Sequence, residues 1–181
     1  MSTEPIIARM ATTADLEQIL NLYQATAANP GGLARSAPEI TAAYVGHFME
    51  QSAARGVEFV LEDPLSAGTI LAEIHCYSLA PAAFRHVLGE LTIAVHPDHQ
   101  GRGLGKLLFT NLLSHIEAQR PDILRVELIT RESNHRGIRL YQSVGFQIEG
   151  RLENRIRAAS GGLEADIPMA WMNKNFNPKL L

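Results

Sequence analysis

His96-Pro97-Asp98-His99-Gln100-Gly101-Arg102-Gly103-Leu104-Gly105-Lys106 is the stretch on which the reading of this 181-residue chain turns. Ahead of it, Leu91-Thr92-Ile93-Ala94-Val95 alternates as a strand does, and Glu90 leads into that strand. Behind it, Leu104, Leu107, Leu108, Leu112 and Ile116 recur at three and four residues, the apolar stripe of a helix. Strand, glycine turn, helix is the order that presents backbone N–H groups at a helix N-terminus, where an anion is stabilised. Gly101, Gly103 and Gly105 carry no Cβ, so a bulky anion can approach the amides; Arg102 and Lys106 add positive charge. The simplest reading is a diphosphate cradle.

Spacing separates three phosphate-binding signatures. A P-loop needs G-x-x-x-x-G-K-[ST]; here the glycines stand too close, and Leu107 follows Lys106 where a magnesium-binding hydroxyl would stand. The dinucleotide fingerprint G-x-G-x-x-G fails because the gap from Gly103 to Gly105 is too short. The pattern Q/R-x-x-G-x-G/A fits Gln100 to Gly105. It resembles the acyl-CoA-binding motif of the GCN5-related N-acetyltransferase (GNAT) superfamily, which carries the CoA pyrophosphate at this turn. A glycine turn that only joins a strand to a helix is the alternative reading of the same residues.

Composition bounds the rest. Hydrophobic residues make up 46% of the chain, enough for a sizeable core, and the length suits a single domain over residues 1–181. A net charge of -3, with both signs mixed along the sequence, argues against a nucleic-acid binder. The single Cys76 excludes an internal disulfide and fits a reducing compartment. The first residues show no secretory pattern, and no apolar run approaches the ~18 residues of a membrane span. A cytoplasmic protein without membrane contact is expected.

Taken in order, residues 5–10 read as a first strand and residues 12–15 as a capping box opening a helix with Leu16, Ile19, Leu20 and Tyr23 on one face. Residues 29–32 break it. Ser36-Ala37-Pro38-Glu39 reads as a second helix start, with Ile40, Tyr44 and Phe48 as its stripe. Strands are expected at 57–62, 68–77, 89–95 and 124–130, and a helix at 134–145 ending on Gly145. Residues 146–157 and 163–172 read as the arms of a hairpin around residues 158–162. The fold class is α/β (α+β), one sheet with helices on both faces.

Ser133-Asn134-His135-Arg136-Gly137-Ile138-Arg139-Leu140-Tyr141, followed by Gly145-Phe146, resembles the second hallmark of the GNAT superfamily. The resemblance covers roughly residues 68 to 150. It implies a GNAT-like fold: a central mixed, mostly antiparallel sheet of about seven strands flanked by about four helices, splayed between the fourth and fifth strands. Within the superfamily, Gly89-Glu90-Leu91, Val126-Glu127-Leu128 and Phe146-Gln147-Ile148-Glu149-Gly150 resemble bacterial amino-acid N-acyltransferases. Glu164 and Ala165 depart from that subgroup, where an aromatic residue and valine are usual, and this leaves the acceptor open.

The resemblance implies acetyl-CoA as co-substrate, with no metal, and direct attack by a primary amine in a ternary complex. It places the backbone of Ile93 and Val95 along the pantetheine arm. It assigns Gln100, Gly101, Arg102, Gly103, Leu104, Gly105 and Lys106 to the pyrophosphate and Asn134 to the arm. Tyr141 is the candidate general acid, since a phenol of pKa ~10 stays protonated at neutral pH and can donate to a departing thiolate. Glu90 is the candidate base, with Glu73 and His75 of a neighbouring strand as further titratable groups. The spacing of His75, His86, His96 and His99 matches no zinc pattern. The expected acceptor is an amino acid or other small amine; a protein N-terminus or lysine, and a non-catalytic acyl-CoA-binding module, are the alternatives. Homodimers are common in the superfamily, and one is expected here on that ground alone.

Overall fold

The computed structural model describes residues 6–29, 33–158 and 161–180. Pro5 of the expected first strand, the expected break at Pro30, Gly31 and Gly32, and Ala159 and Ser160 of the expected hairpin turn lie outside those residues. The described residues hold eight strands and four α-helices. They fall into two compact units, one of residues 6–75 and 92–112, the other of residues 76–91 and 113–180.

The first unit begins with β1 (Ala8–Met10), antiparallel to β2 (Gly56–Glu62) with Ala8 opposite Leu61 and Met10 opposite Phe59. β3 (Ile70–Tyr77) and β4 (Val87–Val95) pass from one unit into the other, as does α3 (Leu104–Gln119). Apolar residues at helical spacing explain α1 (Leu16–Ala27) and α2 (Ala42–Arg55): Ile19, Leu22 and Tyr23 of the first and Val45, Phe48 and Met49 of the second are buried. Thr12 donates its amide (2.8 Å) and hydroxyl (3.0 Å) to Asp15, fixing the chain's entry into α1.

The second helix starts later than the sequence suggests. Ser36 and Glu39 close only a 3-10 turn, Ala37–Glu39, and Ile40 then turns to an extended ψ of 95°. Leaving the helix lets Ile40 bury itself to 2% exposure. Thr41 takes over as N-cap, its hydroxyl accepting the Tyr44 amide at 3.2 Å.

Tyr23, Glu73 and His75 form a polar cluster sealed in the core of this unit. The Tyr23 hydroxyl donates to Glu73 Oε2 at 2.6 Å, and His75 Nδ1 lies 3.0 Å from Glu73 Oε1. Phe48 stacks on the His75 ring at 3.9 Å. Glu58, also buried, lacks such a partner for Oε1.

In the second unit, β5 (Arg125–Arg131) pairs antiparallel with β8 (Leu163–Met172) from Arg125–Met172 to Arg131–Asp166. Val126, Leu128 and Thr130 alternate inward on β5, as Ala165, Ile167 and Met169 do on β8. β4 joins β5 in parallel at Val87–Arg125 and Leu88–Val126, and within this unit the ladder goes no further. The expected first hairpin arm is two pieces: β6 (Gln147–Ile148) pairs with the Met169–Ala170 part of β8, and β7 (Leu152–Arg157) pairs with its beginning. The ladder of β7 is irregular between Leu152 and Ile156, where Asn154 takes φ 53°. Between β5 and β6 lies α4 (His135–Ser143). No helix among the described residues is long and apolar enough to cross a membrane.

The buried acids make stability depend on pH. Desolvation, with Glu73 nearby, pushes the Glu58 carboxyl from 4.5 up to about 8. The folded form then holds a proton that the unfolded chain has released, so stability falls as pH rises from 4.5 to about 8 and levels off above. The slope is at most ~1.4 kcal/mol per pH unit for one such group. Urea denaturation of Glu58→Gln is expected to show a shallower fall over this window and greater stability than the parent at pH 9. Parallel curves would mean that Glu58 titrates normally.

Candidate active site

The sequence-predicted residues divide between the two units. Ile93, Val95 and Gln100 to Lys106 belong to the first; Glu90, Asn134 and Tyr141 belong to the second.

In the first unit, β4 ends with Ala94 buried and Ile93 and Val95 half-buried on the opposite side of the strand. The His96 amide donates to the Leu71 carbonyl at 2.9 Å, tying the end of β4 to β3. Pro97–His99 make one 3-10 turn, whose end is fixed by the Gln100 amide on the Pro97 carbonyl at 3.3 Å. The Gln100 side chain reaches back to the Val95 carbonyl at 3.2 Å. Gln100 thus bonds inside the turn through both its backbone amide and its side chain, which braces the cradle.

Gly101 and Gly103 take φ of 82° and 81°, a region that strains any residue with a Cβ. An added Cβ at Gly103 would meet nothing within 4 Å, so the space above this backbone is open. Leu107 N–H donates to the Gly103 carbonyl at 3.0 Å, the first full helical bond. The amides of Leu104, Gly105 and Lys106 precede it and have no carbonyl one turn back in the helix. Arg102 and Lys106 are exposed beside them, and Arg102 lies 3.4 Å from the His99 ring nitrogen. Amides, glycine backbone and two cations together fit a phosphate-bearing ligand. Gly105 lies within α3 and has no positive φ, so it is not needed for the turn.

In the second unit, Asn134 caps α4: its Oδ1 accepts the Gly137 amide at 3.0 Å, and its Nδ2 donates to Thr130 Oγ1 at 2.9 Å. The Tyr141 hydroxyl hydrogen-bonds with Thr130 and Asn134, and burial pushes its pKa up despite both contacts. Tyr141 thus holds its proton through the neutral range. Thr130 was not singled out by the sequence; its inward place in the alternation of β5 is the signal that could have found it. The helix ends in a Schellman turn, with Phe146 N–H on the Tyr141 carbonyl (3.0 Å) and Gly145 N–H on that of Gln142 (3.1 Å). Gly145 itself is the residue after the cap, at φ 101°, packed against Trp171.

Glu90 is exposed and stands at φ 51° inside β4, an uncommon conformation for a residue with a side chain. It stands two residues beyond Leu88–Val126, the last pair of β4 and β5 in this unit. It has no ion pair among the described residues. Arg125 of β5 is taken by Glu127 (2.8 Å) and Glu149 (2.5 Å). Glu73 and His75 are 0% and 2% exposed and engaged with Tyr23, so neither can touch an acceptor directly. Among the described residues, no group of His, Cys, Asp or Glu is arranged to hold a metal ion.

Residues 17–146 match the profile of the Acetyltransferase (GNAT) family. The chain belongs to that family. A [ribosomal protein bS18]-alanine N-acetyltransferase of Salmonella typhimurium is 38% identical over 87 residues, 46% of this chain and 57% of that protein. An L-amino acid N-acyltransferase of Escherichia coli is 32% identical over 69 residues, 38% of each chain. The chain thus spans little more than half the length of the first of these relatives and less of the second. Among solved structures, a GNAT-superfamily phosphinothricin acetyltransferase from Sinorhizobium meliloti, in complex with AcCoA, superposes with a TM-score of 0.81 at 18% identity. It covers 95% of this chain, and 90% of its own is covered. The ribosomal-protein-S18-alanine N-acetyltransferase from Escherichia coli superposes at 0.73 with 24% identity, covering 98% and 99%. These likenesses establish the expected GNAT fold.

Gly137 tests the capping arrangement. An ideal Cβ there would lie 2.3 Å from Asn134 Nδ2, so alanine must evict the cap side chain. Alanine normally stabilises a helix by up to ~1 kcal/mol over glycine. Here Gly137→Ala is expected to destabilise, since a lost N-cap costs about 1 kcal/mol or more. Denaturant midpoints measure it, and a gain in stability would show that Asn134 is not held as described.

Proposed function

We propose that the chain is an acetyltransferase that moves an acetyl group from acetyl-CoA to a primary amine, with an amino acid or similar small amine as acceptor. The observation that carries this reading is the cradle: free first-turn amides of α3, open space over Gly103, and the cations Arg102 and Lys106. Family membership and the acetyl-CoA complex of a fold neighbour support it.

Acetyl-CoA supplies an activated acyl group as its thioester. The residues proposed to hold it are the backbone of Ile93 and Val95, the Gly101–Lys106 turn braced by Gln100, and Asn134. During transfer the amine nitrogen bonds to the acyl carbon, the C–S bond breaks, and the sulfur takes a proton while the amine loses one. Tyr141 is the proposed proton donor. Its hydroxyl is held by Thr130 and Asn134, so one of those bonds must be exchanged for one to the sulfur. Glu90 is the proposed acceptor of the amine proton, directly or through one water, from its exposed position at positive φ in β4. A second reading, acetylation of a protein N-terminus, is favoured by the likeness to the bS18-alanine enzyme.

Thiol release from acetyl-CoA, measured with free amino acids, polyamines and alanine-initiated peptides, tests the activity and separates the acceptors. Turnover with none of them, at confirmed CoA binding, would leave a binding module. Gly103→Val is expected to weaken CoA binding at least tenfold by calorimetry, because Cβ enters the open space of the cradle. Unchanged affinity in a folded protein would remove the pyrophosphate assignment. Tyr141→Phe keeps the ring packing and is expected to lower kcat by ~10²–10⁴-fold with near-normal CoA affinity. Full turnover would make the hydroxyl a structural group only.

A further inference from the structure

In the first unit, residues of α1, α2 and the start of β2 line a cavity of about 500 Å³. Its wall is largely apolar, with Met10, Leu16 and Met49 in it, and Ala53 and Ala54 stand exposed beside it. That volume lies within the range of small-molecule sites. Two polar side chains of the lining are buried without a match. Ser52 is 3% exposed and Glu58 6%, and neither Ser52 Oγ nor Glu58 Oε1 has a hydrogen-bond partner among the described residues. A buried carboxyl without a partner costs several kcal/mol in general, so such a group usually answers to something.

Charge decides what it answers to. The ionisable residues of the lining are Glu50 and Glu58, both acids, with no base among them. Around Glu58 stand Glu73 and His75 of β3 and Asp15 at the entry to α1. Arg9 of β1 is committed to Asp15 (2.7 Å) and Glu62 (2.9 Å), and Arg55 at the end of α2 binds Gln51. An anion finds no cation in this lining, and a hydroxyl compound could pair with the protonated carboxyl but would not answer the charge it carries above about pH 8. A divalent cation seeks several oxygen ligands, and the described residues hold no such group.

We propose that this cavity binds a small primary ammonium compound with an apolar body, its N–H groups donating to Glu58 Oε1 and Ser52 Oγ and its carbon chain lying against the apolar wall. None of these residues belongs to the cradle or to the Tyr141 group. The inference does not rest on acetyl transfer, and its failure would leave that reading untouched.

Binding of n-butylammonium to the full chain, followed by calorimetry without any acetyl donor, is the test. Glu58 holds its proton up to about pH 8, whereas an alkylammonium of pKa ~10.4 stays charged, so capture must release the carboxyl proton. Affinity is expected to rise about tenfold from pH 7 to pH 9. Glu58→Gln should weaken binding at least tenfold and abolish this dependence. No binding at any pH, equal affinity in Glu58→Gln, or an affinity indifferent to pH would each overturn the proposal. Should Glu58→Gln not fold, Ala53→Phe, at an exposed helical position of the lining, takes its place: loss of binding supports the cavity as the site, and retention overturns it.

Discussion

Two glycines at positive φ, Gly101 and Gly103, let the chain pass from β4 to α3 through one short turn, and the cradle depends on them. An L-residue in that region costs roughly 1–2 kcal/mol. The turn is fixed ahead of its glycines, by the His96 amide on Leu71 and by the Gln100 side chain on Val95. Its span therefore has little room to relax, and the buried stripe of the helix begins at once with Leu104. Because the helix starts so abruptly, its first amides have no carbonyl one turn back. The glycines thus differ: Gly101 and Gly103 make the turn possible, while Gly105 lies within the helix and needs no special backbone conformation.

The second unit uses the same economy at α4, a helix of nine residues with a defined device at each end. Asn134 closes its start and binds Thr130; the Gly145–Phe146 pair closes its finish on the carbonyls of Gln142 and Tyr141. Tyr141 belongs to both ends, through its hydroxyl to the Asn134–Thr130 pair and through its carbonyl to the Schellman turn. A phenol held this way has few orientations, which suits the proton-donor role proposed for it. The residues that make the family pattern recognisable are therefore those that set the helix termini and the backbone reach around Tyr141.

Much of this was legible in the sequence because it is local. Periodicity marked the strand and helix around the cradle, and cap chemistry marked the helix opened by Asn134 and closed near Gly145. Where tertiary burial decides, the sequence misled. Ser36-Ala37-Pro38-Glu39 has every mark of a helix start, yet Ile40 is drawn into the core and the helix waits for Thr41. The hairpin arm after Phe146 reads as continuous, but β8 receives it as two strands with an irregular register at Asn154. The positive φ of Glu90 has no sequence signature, since nothing in Gly89-Glu90-Leu91 says which residue takes the strain. Thr130 and Ser52 act through partners, or the want of one, that only the folded chain brings near.

Glu58 and Glu73 show how the same residue type acquires different consequences on neighbouring elements. Both are buried, and burial raises both. Glu73 is matched on each oxygen, by the Tyr23 hydroxyl and the His75 ring, under the stacked face of Phe48. It is part of the packing of α1 and α2, and opening it would expose several aromatic faces at once. Glu58 lies beside a cavity with one oxygen unmatched. A satisfied buried acid adds specificity to a core, whereas an unsatisfied one is a standing cost that a leucine at the same place would remove. The first is explained by the fold in which it sits; the second gains an explanation only from what the cavity receives.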